Sequence, residues 1–230
     1  MPSPSCYGSA RITTVRIAEL DPDTLAPLPG ADNGLTIDHQ ILLSFDPVLR
    51  TGEEIEQVNG DGELCISLQE DDQLKRFTVR LQVCRKHPVL DSKLTGASLF
   101  TDAGSPVGAQ APAAGASLSS PVCIEAWTRA IEVTAQAVAP VTSPDLSYWH
   151  YVFPYVHGMV PGSTELGSGA HLFEYNGRAD ENGAITANGP FNDWPDYVAD
   201  AGGVIRSVGW FLDGPPPTAA CAPIAVPSGS

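Results

Sequence analysis

Turn-forming residues constrain the fold of this chain more than any other feature of its sequence. Glycine occurs 22 times and proline 21 times among the 230 residues, and both residues break helix interiors. A helical bundle is therefore excluded, and frequent turns predict many short strands. With 43% hydrophobic and 17% charged residues, the composition is typical of a globular protein, not of a disordered one. We therefore expect a mainly β fold with a buried core.

The net charge limits the partners that the surface can bind. Twelve basic residues against 27 acidic ones give a formal charge of −15, which repels phosphate and anionic lipid. Tight nucleic-acid binding is not expected, because it requires Lys and Arg to displace condensed counterions. The same acidic surface is compatible with a wall along which DNA slides without binding.

The sequence offers no targeting signal that we recognise. Residues 1–10 lack a basic segment followed by an apolar one, and no later stretch has about 18 uninterrupted apolar residues. We therefore predict neither export nor insertion into a membrane. Five cysteines without a CxxC motif fit reduced thiols better than a secreted disulfide framework, which favours synthesis in the cytoplasm.

Alternating apolar residues predict long amphipathic antiparallel strands in the first third of the chain. Residues 11–20 form the first predicted strand, and residues 35–45 give the clearest period-two pattern. Two further segments are predicted to pair as a hairpin with a charged tip at residues 70–75. Their apolar side chains are expected to face the core, namely Leu64, Ile66, Leu68, Phe77, Val79, Leu81 and Val83. In this register Cys65 and Cys84 lie opposite each other, either as two reduced thiols or as an oxidised pair.

The segments between the predicted strands differ in composition. Residues 21–33 are rich in Pro, Asp and Gly, which predicts a loop that reaches outward. Residues 87–96 predict one short helix, with Pro88 at its first position and Gly96 as its C-terminal cap. Residues 101–121 are rich in Ala, Gly, Ser and Pro, which predicts a flexible loop.

The second half of the chain is predicted to complete the same sheet system. Its strands are expected at residues 122–131, 148–153, 170–175 and 204–212. Because proline lacks a backbone donor, the run that begins at Pro215 predicts an extended tail over residues 215–230. We find no internal repeat, so residues 1–214 are predicted to form a single domain.

A search for catalytic motifs yields no candidate active site. The sequence contains neither a GxSxG elbow nor a GxxxxGK[ST] loop. His150 and His157 have no Cys or Glu at zinc-ligand spacing, so we interpret them as buried or interfacial. His39 is interpreted as a hydrogen-bonded core histidine, and Glu53 with Glu54 as solvated turn residues. We therefore predict a non-enzymatic protein without a metal or cofactor.

Two aromatic stretches carry a resemblance to a known family. The first is Tyr148-Trp149-His150-Tyr151-Val152-Phe153-Pro154, and the second runs from Phe173 through Gly177, Ala179 and Asn182 to Gly189-Pro190-Phe191-Asn192-Asp193-Trp194. Together with the order of amphipathic strands, charged hairpin and short helix, they resemble the major tail tube subunits of long-tailed phages that infect actinobacteria.

The resemblance implies a β-sandwich with long antiparallel hairpins and one short flanking helix. It also implies six copies that close into a ring, and rings that stack into a hollow tube conducting genomic DNA in the virion. A tail terminator, a tape measure protein and a distal tail protein are the implied partners. On this interpretation, the residues that contact the next ring are Asp21, Pro22, Asp23, Pro29, Gly30 and Asp32. Those that face the lumen are Glu63, Gln69, Glu70, Asp71 and Asp72.

Three other interpretations stay open from the sequence. The chain could be another virion component, such as a tail terminator or a capsid decoration protein, which would stop at a ring or a trimer. It could be an enzyme with a pocket that no motif predicts. It could also be a carbohydrate-binding or adhesive β-sandwich, in which four tryptophans are exposed stacking platforms, namely Trp127, Trp149, Trp194 and Trp210.

Overall fold

The computed structural model describes residues 7–61, 64–116, 120–133, 138–140, 147–163, 168, 171–200, 205–219 and 221–228. Within these residues the fold is mainly β, as predicted. The strands are β1 (Tyr7–Glu19), β2 (Gly30–Ile37), β3 (Gln40–Arg50), β4 (Glu54–Val58), β5 (Leu64–Gln69), β6 (Gln73–Val83), β7 (Ser98–Asp102), β8 (Ser105–Gln110), β9 (Val122–Val133), β10 (Val138–Pro140), β11 (Tyr148–Pro161), β12 (Phe173–Ala179), β13 (Gly209–Asp213) and β14 (Pro223–Val226). The helices are α1 (Pro88–Thr95) and α2 (Asp196–Asp200).

Most strands belong to one large antiparallel sheet. Its order is β14-β2-β1-β9-β11-β12-β6-β3, with β10 added beside β9 and β13 beside β11. Strands β2 and β3 lie near opposite ends of this order, yet they are consecutive in the chain and joined by Asp38 and His39. The sheet therefore curls until these two strands meet at a corner. Two further pairs, β4 with β5 and β7 with β8, form separate two-stranded ribbons.

The curled sheet encloses the main hydrophobic core. Apolar side chains from β1, β2, β6, β9, β11, β12 and α1 fill its interior, and Phe153, Leu81 and Leu90 have no exposed surface. A second cluster covers the other face of the central strands, where Ala18 and Val152 pack with residues of the segment between β12 and β13. Strands β1, β9 and β11 are therefore buried on both faces, which explains why β1 alternates weakly in sequence.

The strand predicted over residues 35–45 is two strands. It breaks at Asp38 and His39, where the chain leaves β1 as its partner and joins β6. Both halves turn apolar side chains to the same interior, for example Ile37 in β2 and Phe45 in β3. The period-two pattern therefore continues across the corner and conceals it.

The prediction that β5 and β6 pair as a hairpin is wrong. Strand β5 pairs with β4, and β6 pairs with β3 and β12. The predicted interior positions in β6 are correct, since Val79, Leu81 and Val83 are buried. In β5, by contrast, Ile66 and Leu68 are 52% and 53% exposed. Alternation shows which face of a strand is apolar, but not what covers that face.

Helix α1 agrees with its prediction in detail. His87 is the N-cap, Pro88 occupies the first turn, and Gly96 ends the helix with φ of 70°. That left-handed conformation favours glycine. Two side chains anchor the helix: Lys93 donates to Glu19 Oε2 at 3.1 Å, and Tyr175 donates its hydroxyl to Asp91.

Three other segments contain regular structure that the sequence does not predict. Strand β8 and the end of β7 occupy much of the predicted loop at 101–121; residues 117–119 lie outside the described part. Strand β14 pairs with β2 inside the predicted tail at 215–230. Helix α2 follows the second aromatic stretch. Strands built from Ala, Gly, Ser and Pro need only backbone hydrogen bonds, so they leave no apolar pattern.

Candidate assembly surfaces and buried polar sites

Strands β3 to β6 form one long ribbon (residues 40–83). The half nearer the turn does not pack on the hydrophobic core. Its inner part, β3 with β6, belongs to the large sheet, and its outer part (residues 54–69), here called the outer ribbon, is β4 with β5. The two parts join where Glu70 N donates to Glu53 O at 3.1 Å and Gly52 N donates to Asp72 Oδ1 at 3.0 Å. One side of the ribbon is residues 40–58, which at the rise of a strand span at most about 60 Å.

The outer ribbon has one apolar face and one polar face. Ile55 lies opposite Leu68, and Ile66 lies two positions further along the same face. These three side chains are 43%, 53% and 52% exposed, so the apolar face has no cover within the described residues. Glu54 and Glu56 lie on the other face, opposite Gln69 and Ser67. Opposed residues share a face because side chains alternate along each strand.

Four of the five residues predicted to face the lumen lie in the described part of this ribbon, away from its tip. Gln69 ends β5, and Glu70, Asp71 and Asp72 form the exposed junction with the inner part. The turn at the tip contains Asn59, whose side chain accepts from the backbone N–H of Asp61 at 3.0 Å. Glu63 lies outside the described residues. The predicted charged tip at residues 70–75 is therefore the middle of the ribbon.

The residues predicted to contact the next ring lie in a compact turn followed by β2. Asp21 Oδ1 accepts from the backbone N–H of Thr24 at 2.8 Å and from that of Asp23 at 3.0 Å, and these bonds lower the pKa of Asp21. Pro22 and Asp23 are exposed at the tip of the turn. Pro29 is exposed and followed by Gly30 and Asp32 in β2; the carbonyl of Asp32 accepts from Lys93 Nζ at 2.5 Å.

A buried charge network joins the two aromatic stretches of the sequence. Arg16 donates from Nε to Glu125 Oε2 at 2.7 Å and forms a bidentate pair with Asp193. Glu125 Oε1 accepts from the indole N–H of Trp194 at 2.6 Å. His150 lies between carboxylates, with Nδ1 at 3.0 Å from Asp213 Oδ2 and Nε2 at 3.3 Å from Glu125 Oε1. The network thus connects β1, β9, β11, β13 and the segment before α2.

The charged groups of this network shift one another's pKa values. Burial acts to raise the pKa of Glu125, but the Arg16 guanidinium and His150 lower it to about 2. Burial acts to lower the pKa of His150, but the carboxylates of Asp213 and Glu125 raise it above its usual value. Both shifts favour the charged forms, and each charge has a partner of opposite sign. The prediction that His150 is buried is confirmed, since it is 1% exposed.

Aromatic rings pack against Arg16 and His150 in this network. Arg16 lies 4.0 Å from the ring centroid of Phe191 and 5.1 Å from that of Trp127. His150 stacks on Trp127 with centroids 4.0 Å apart. The sequence contains the aromatic stretches but no signal for Arg16 or Glu125, because each is a single charge within an apolar strand.

The tryptophans divide between the core and the surface. Trp127 and Trp194 are 2% and 5% exposed, and Trp149 donates its indole N–H to Gly8 O at 3.1 Å. Trp210 on β13 is 58% exposed. Since a stacking platform must be accessible, Trp127 and Trp194 do not fit the carbohydrate-binding interpretation.

One group of metal-ligating side chains meets at the corner between β2 and β3, among the described residues. Cys221 Sγ lies 3.5 Å from Asp38 Oδ1 and 3.6 Å from His39 Nδ1, and the last two atoms are 3.9 Å apart. His39 is buried as predicted, but its Nε2 has no hydrogen-bond partner. No spacing in the sequence indicates this group, because Cys221 is 182 residues from His39.

The other cysteines do not pair as the sequence-based register required. Cys65 and Cys84 are both exposed. Cys65 lies on β5, which pairs with β4, and Cys84 follows β6, where its thiol donates to His39 O at 3.3 Å. The corrected strand pairing removes the predicted cross-strand opposition.

Two comparisons with known proteins were negative. No protein-family model matches the chain, and no curated protein sequence matches it. Neither described helix is long and apolar enough to span a bilayer.

Proposed function

We propose that this chain is the repeating subunit of a phage tail tube, which assembles with copies of itself into stacked, hexameric rings. The outer ribbon carries this proposal, because no described residue of the single subunit covers its apolar face. The resemblance of the two aromatic stretches to tail tube subunits favours the same assembly. The subunit acts without catalysis and is incorporated into the virion after synthesis in the host cytoplasm.

The energetics of the outer ribbon favour a second copy as the occupant of its apolar face. An isolated two-stranded hairpin is marginally stable in water, and fully burying a Leu or Ile side chain contributes about 1.5–3 kcal/mol. Ile55, Ile66 and Leu68 keep roughly half of their surface exposed, as do Leu49 and Leu74 nearer the core. A neighbouring subunit that covers this row stabilises both the ribbon and the ring.

The edges of the outer ribbon favour the same partner. Strands β4 and β5 pair with each other, and neither has a second partner strand among the described residues. Their outer backbone groups are available to extend a sheet. Ribbons from successive subunits pair edge to edge and close into a ring, since a closed barrel leaves no edge unpaired.

The polar face of the ribbon suits a channel for DNA. Once the apolar face is covered, Glu54 and Glu56 point to the other side, and Glu70, Asp71 and Asp72 add charge at the junction. Such a wall repels phosphate, so the duplex passes without binding. The turn at residues 21–24 contacts the next ring through its exposed tip.

Negative-stain electron microscopy of the purified chain tests the proposal. The wild-type chain is expected to form rings and hollow tubes as its concentration rises. Leu68→Glu places a charge on the apolar face and is expected to keep the chain monomeric, whereas Ser67→Glu, on the opposite face of the same strand, is expected to assemble. A wild-type chain that stays monomeric at every concentration and salt would contradict the proposal, as would normal tubes from Leu68→Glu.

A further inference from the structure

We propose that Asp38, His39 and Cys221 bind a divalent transition metal ion, for which Zn²⁺ fits best, and that this metal fastens the C-terminal segment to the β2–β3 corner. This inference is independent of tube assembly. It rests on the positions of three donor atoms, on the buried state of His39, and on the backbone bonds that hold Cys221.

The donor atoms have the spacing of one face of a metal tetrahedron. Zinc bonds of about 2.3 Å to sulfur and about 2.0–2.2 Å to nitrogen and oxygen place the ligand atoms about 3.3–3.6 Å apart. The observed separations are 3.5 Å from Cys221 Sγ to Asp38 Oδ1, 3.6 Å from Cys221 Sγ to His39 Nδ1, and 3.9 Å from His39 Nδ1 to Asp38 Oδ1. Asp38 is exposed, so its carboxylate is free to rotate inward by a few tenths of an ångström.

The ring nitrogen Nδ1 of the buried His39 lies next to the other two donor atoms of the group. Its side chain is 3% exposed, and Nε2 has no hydrogen-bond partner. Nδ1 approaches only a thiol at 3.6 Å and a carboxylate oxygen at 3.9 Å, which are weak contacts for a buried ring. A metal ion bound to Nδ1 replaces these two long contacts with one short bond, and Nε2 is not part of this site.

The backbone holds Cys221 in place before any metal binds. Its N–H donates to Thr36 O at 3.2 Å, and its carbonyl oxygen lies 2.8 Å from His87 Nε2. Cys221 also has φ of 47°, in the left-handed region. The thiol is therefore directed at the corner by bonds from β2 and from the N-cap of α1. Such outer contacts position metal ligands in known sites.

The ligand set favours a borderline-soft ion over calcium or magnesium. Thiolate and imidazole select zinc and its neighbours, whereas calcium and magnesium prefer six or more oxygen ligands. The negative charges of Asp38 and of a Cys221 thiolate balance the charge of the ion. Three protein ligands leave a fourth position, which faces solvent beside the exposed Asp38 and is filled by water.

Cobalt(II) titration of the metal-free, fully reduced chain tests this site. One equivalent is expected to give the intense visible absorption of tetrahedral cobalt and a thiolate-to-cobalt charge-transfer band, both removed by excess Zn²⁺. Cys221→Ser is expected to abolish the charge-transfer band and to weaken Zn²⁺ binding by more than about tenfold. Cys84→Ser, which removes the thiol bonded to His39 O, is the matched control and is expected to retain the band.

A measurement on the wild-type chain keeps the test valid if Cys221→Ser fails to fold. Zn²⁺ is expected to slow alkylation of Cys221 by iodoacetamide, mapped by mass spectrometry, while the alkylation rate of the exposed Cys65 stays unchanged. Equal alkylation of Cys221 with and without Zn²⁺ would overturn the proposal. So would a wild-type chain without the charge-transfer band, or the same band in folded Cys221→Ser.

Discussion

Trp194 donates its indole N–H to Oε1 of Glu125 at 2.6 Å, and both side chains are buried. Trp194 belongs to the irregular segment between β12 and α2, whereas Glu125 lies within β9. The other carboxylate oxygen of Glu125 accepts from Arg16, so both oxygens are bonded inside the protein. This segment is therefore held to the sheet by a hydrogen bond to a buried charge as well as by apolar packing.

Trp194→Phe tests the strength of that hydrogen bond. The variant keeps an aromatic ring but removes the shorter contact at Glu125 Oε1, whose other neighbour is His150 Nε2 at 3.3 Å. The free energy of unfolding is expected to fall by about 1–3 kcal/mol. Trp210→Phe, at a position 58% exposed, is the control and should change it by less than about 0.5 kcal/mol. Urea unfolding followed by circular dichroism measures both. Equal effects would mean that the indole N–H contributes nothing specific.

Glu125→Gln tests the buried charge itself. Removing the carboxylate leaves Arg16 with Asp193 alone, and breaking a buried ion pair costs about 3–5 kcal/mol. We expect a loss near the lower end of this range, since the Arg16–Asp193 pair remains. Glu132→Gln changes an exposed carboxylate on the same strand and should alter unfolding by less than about 0.5 kcal/mol. A neutral result for Glu125→Gln would show that the charge is dispensable.

The network predicts a pH optimum for stability. Glu125 has its pKa lowered from 4.5 to about 2, so its contribution to stability is present above pH 4.5 and is lost as pH falls towards 2. His150 has its pKa raised above 6.5, so its contribution is complete below pH 6.5 and lost as pH rises through the folded pKa. Urea midpoints measured between pH 5 and 9 should therefore decline on the alkaline side.

Asp213→Asn tests whether His150 is the group that causes the alkaline loss of stability. Because Asp213 raises the pKa of His150, the alkaline decline should be smaller in this variant. Asp23→Asn, in an exposed turn, should keep the wild-type slope. The same slope in all three proteins would exclude His150 as the titrating group.

Gly52→Ala tests the ribbon junction. A Cβ at this position would lie 1.8 Å from Glu70 O, so the variant must separate the two strands where the inner and outer parts join. We expect loss of tube assembly with the core still folded, measured by electron microscopy and thermal unfolding. Gly60→Ala near the ribbon tip meets no atom within 4 Å and should assemble normally. Assembly by Gly52→Ala would show that the junction tolerates a shift.

The correct predictions, of helix α1 and of the interior face of β6, depend on local sequence patterns. Helix α1 follows from Pro88 and Gly96, because capping depends on neighbours in sequence. The interior face of β6 follows from the alternation of Val79, Leu81 and Val83. The sequence does not predict strand β8, because its Ala, Gly and Ser side chains have no apolar period. It does not predict β14, because the proline run before this strand indicates an end to strand pairing.

The chain's own sequence determined that it is rich in strands, that its surface is acidic, and where its first helix begins and ends. These properties depend on composition and on contacts between near neighbours. Only the tertiary structure decided which strands pair, since one apolar face fits many partners. It alone brought Arg16 to Glu125, 109 residues apart, and His39 to Cys221, 182 residues apart. Contacts at such distances follow from how the sheet closes, and no local pattern encodes them.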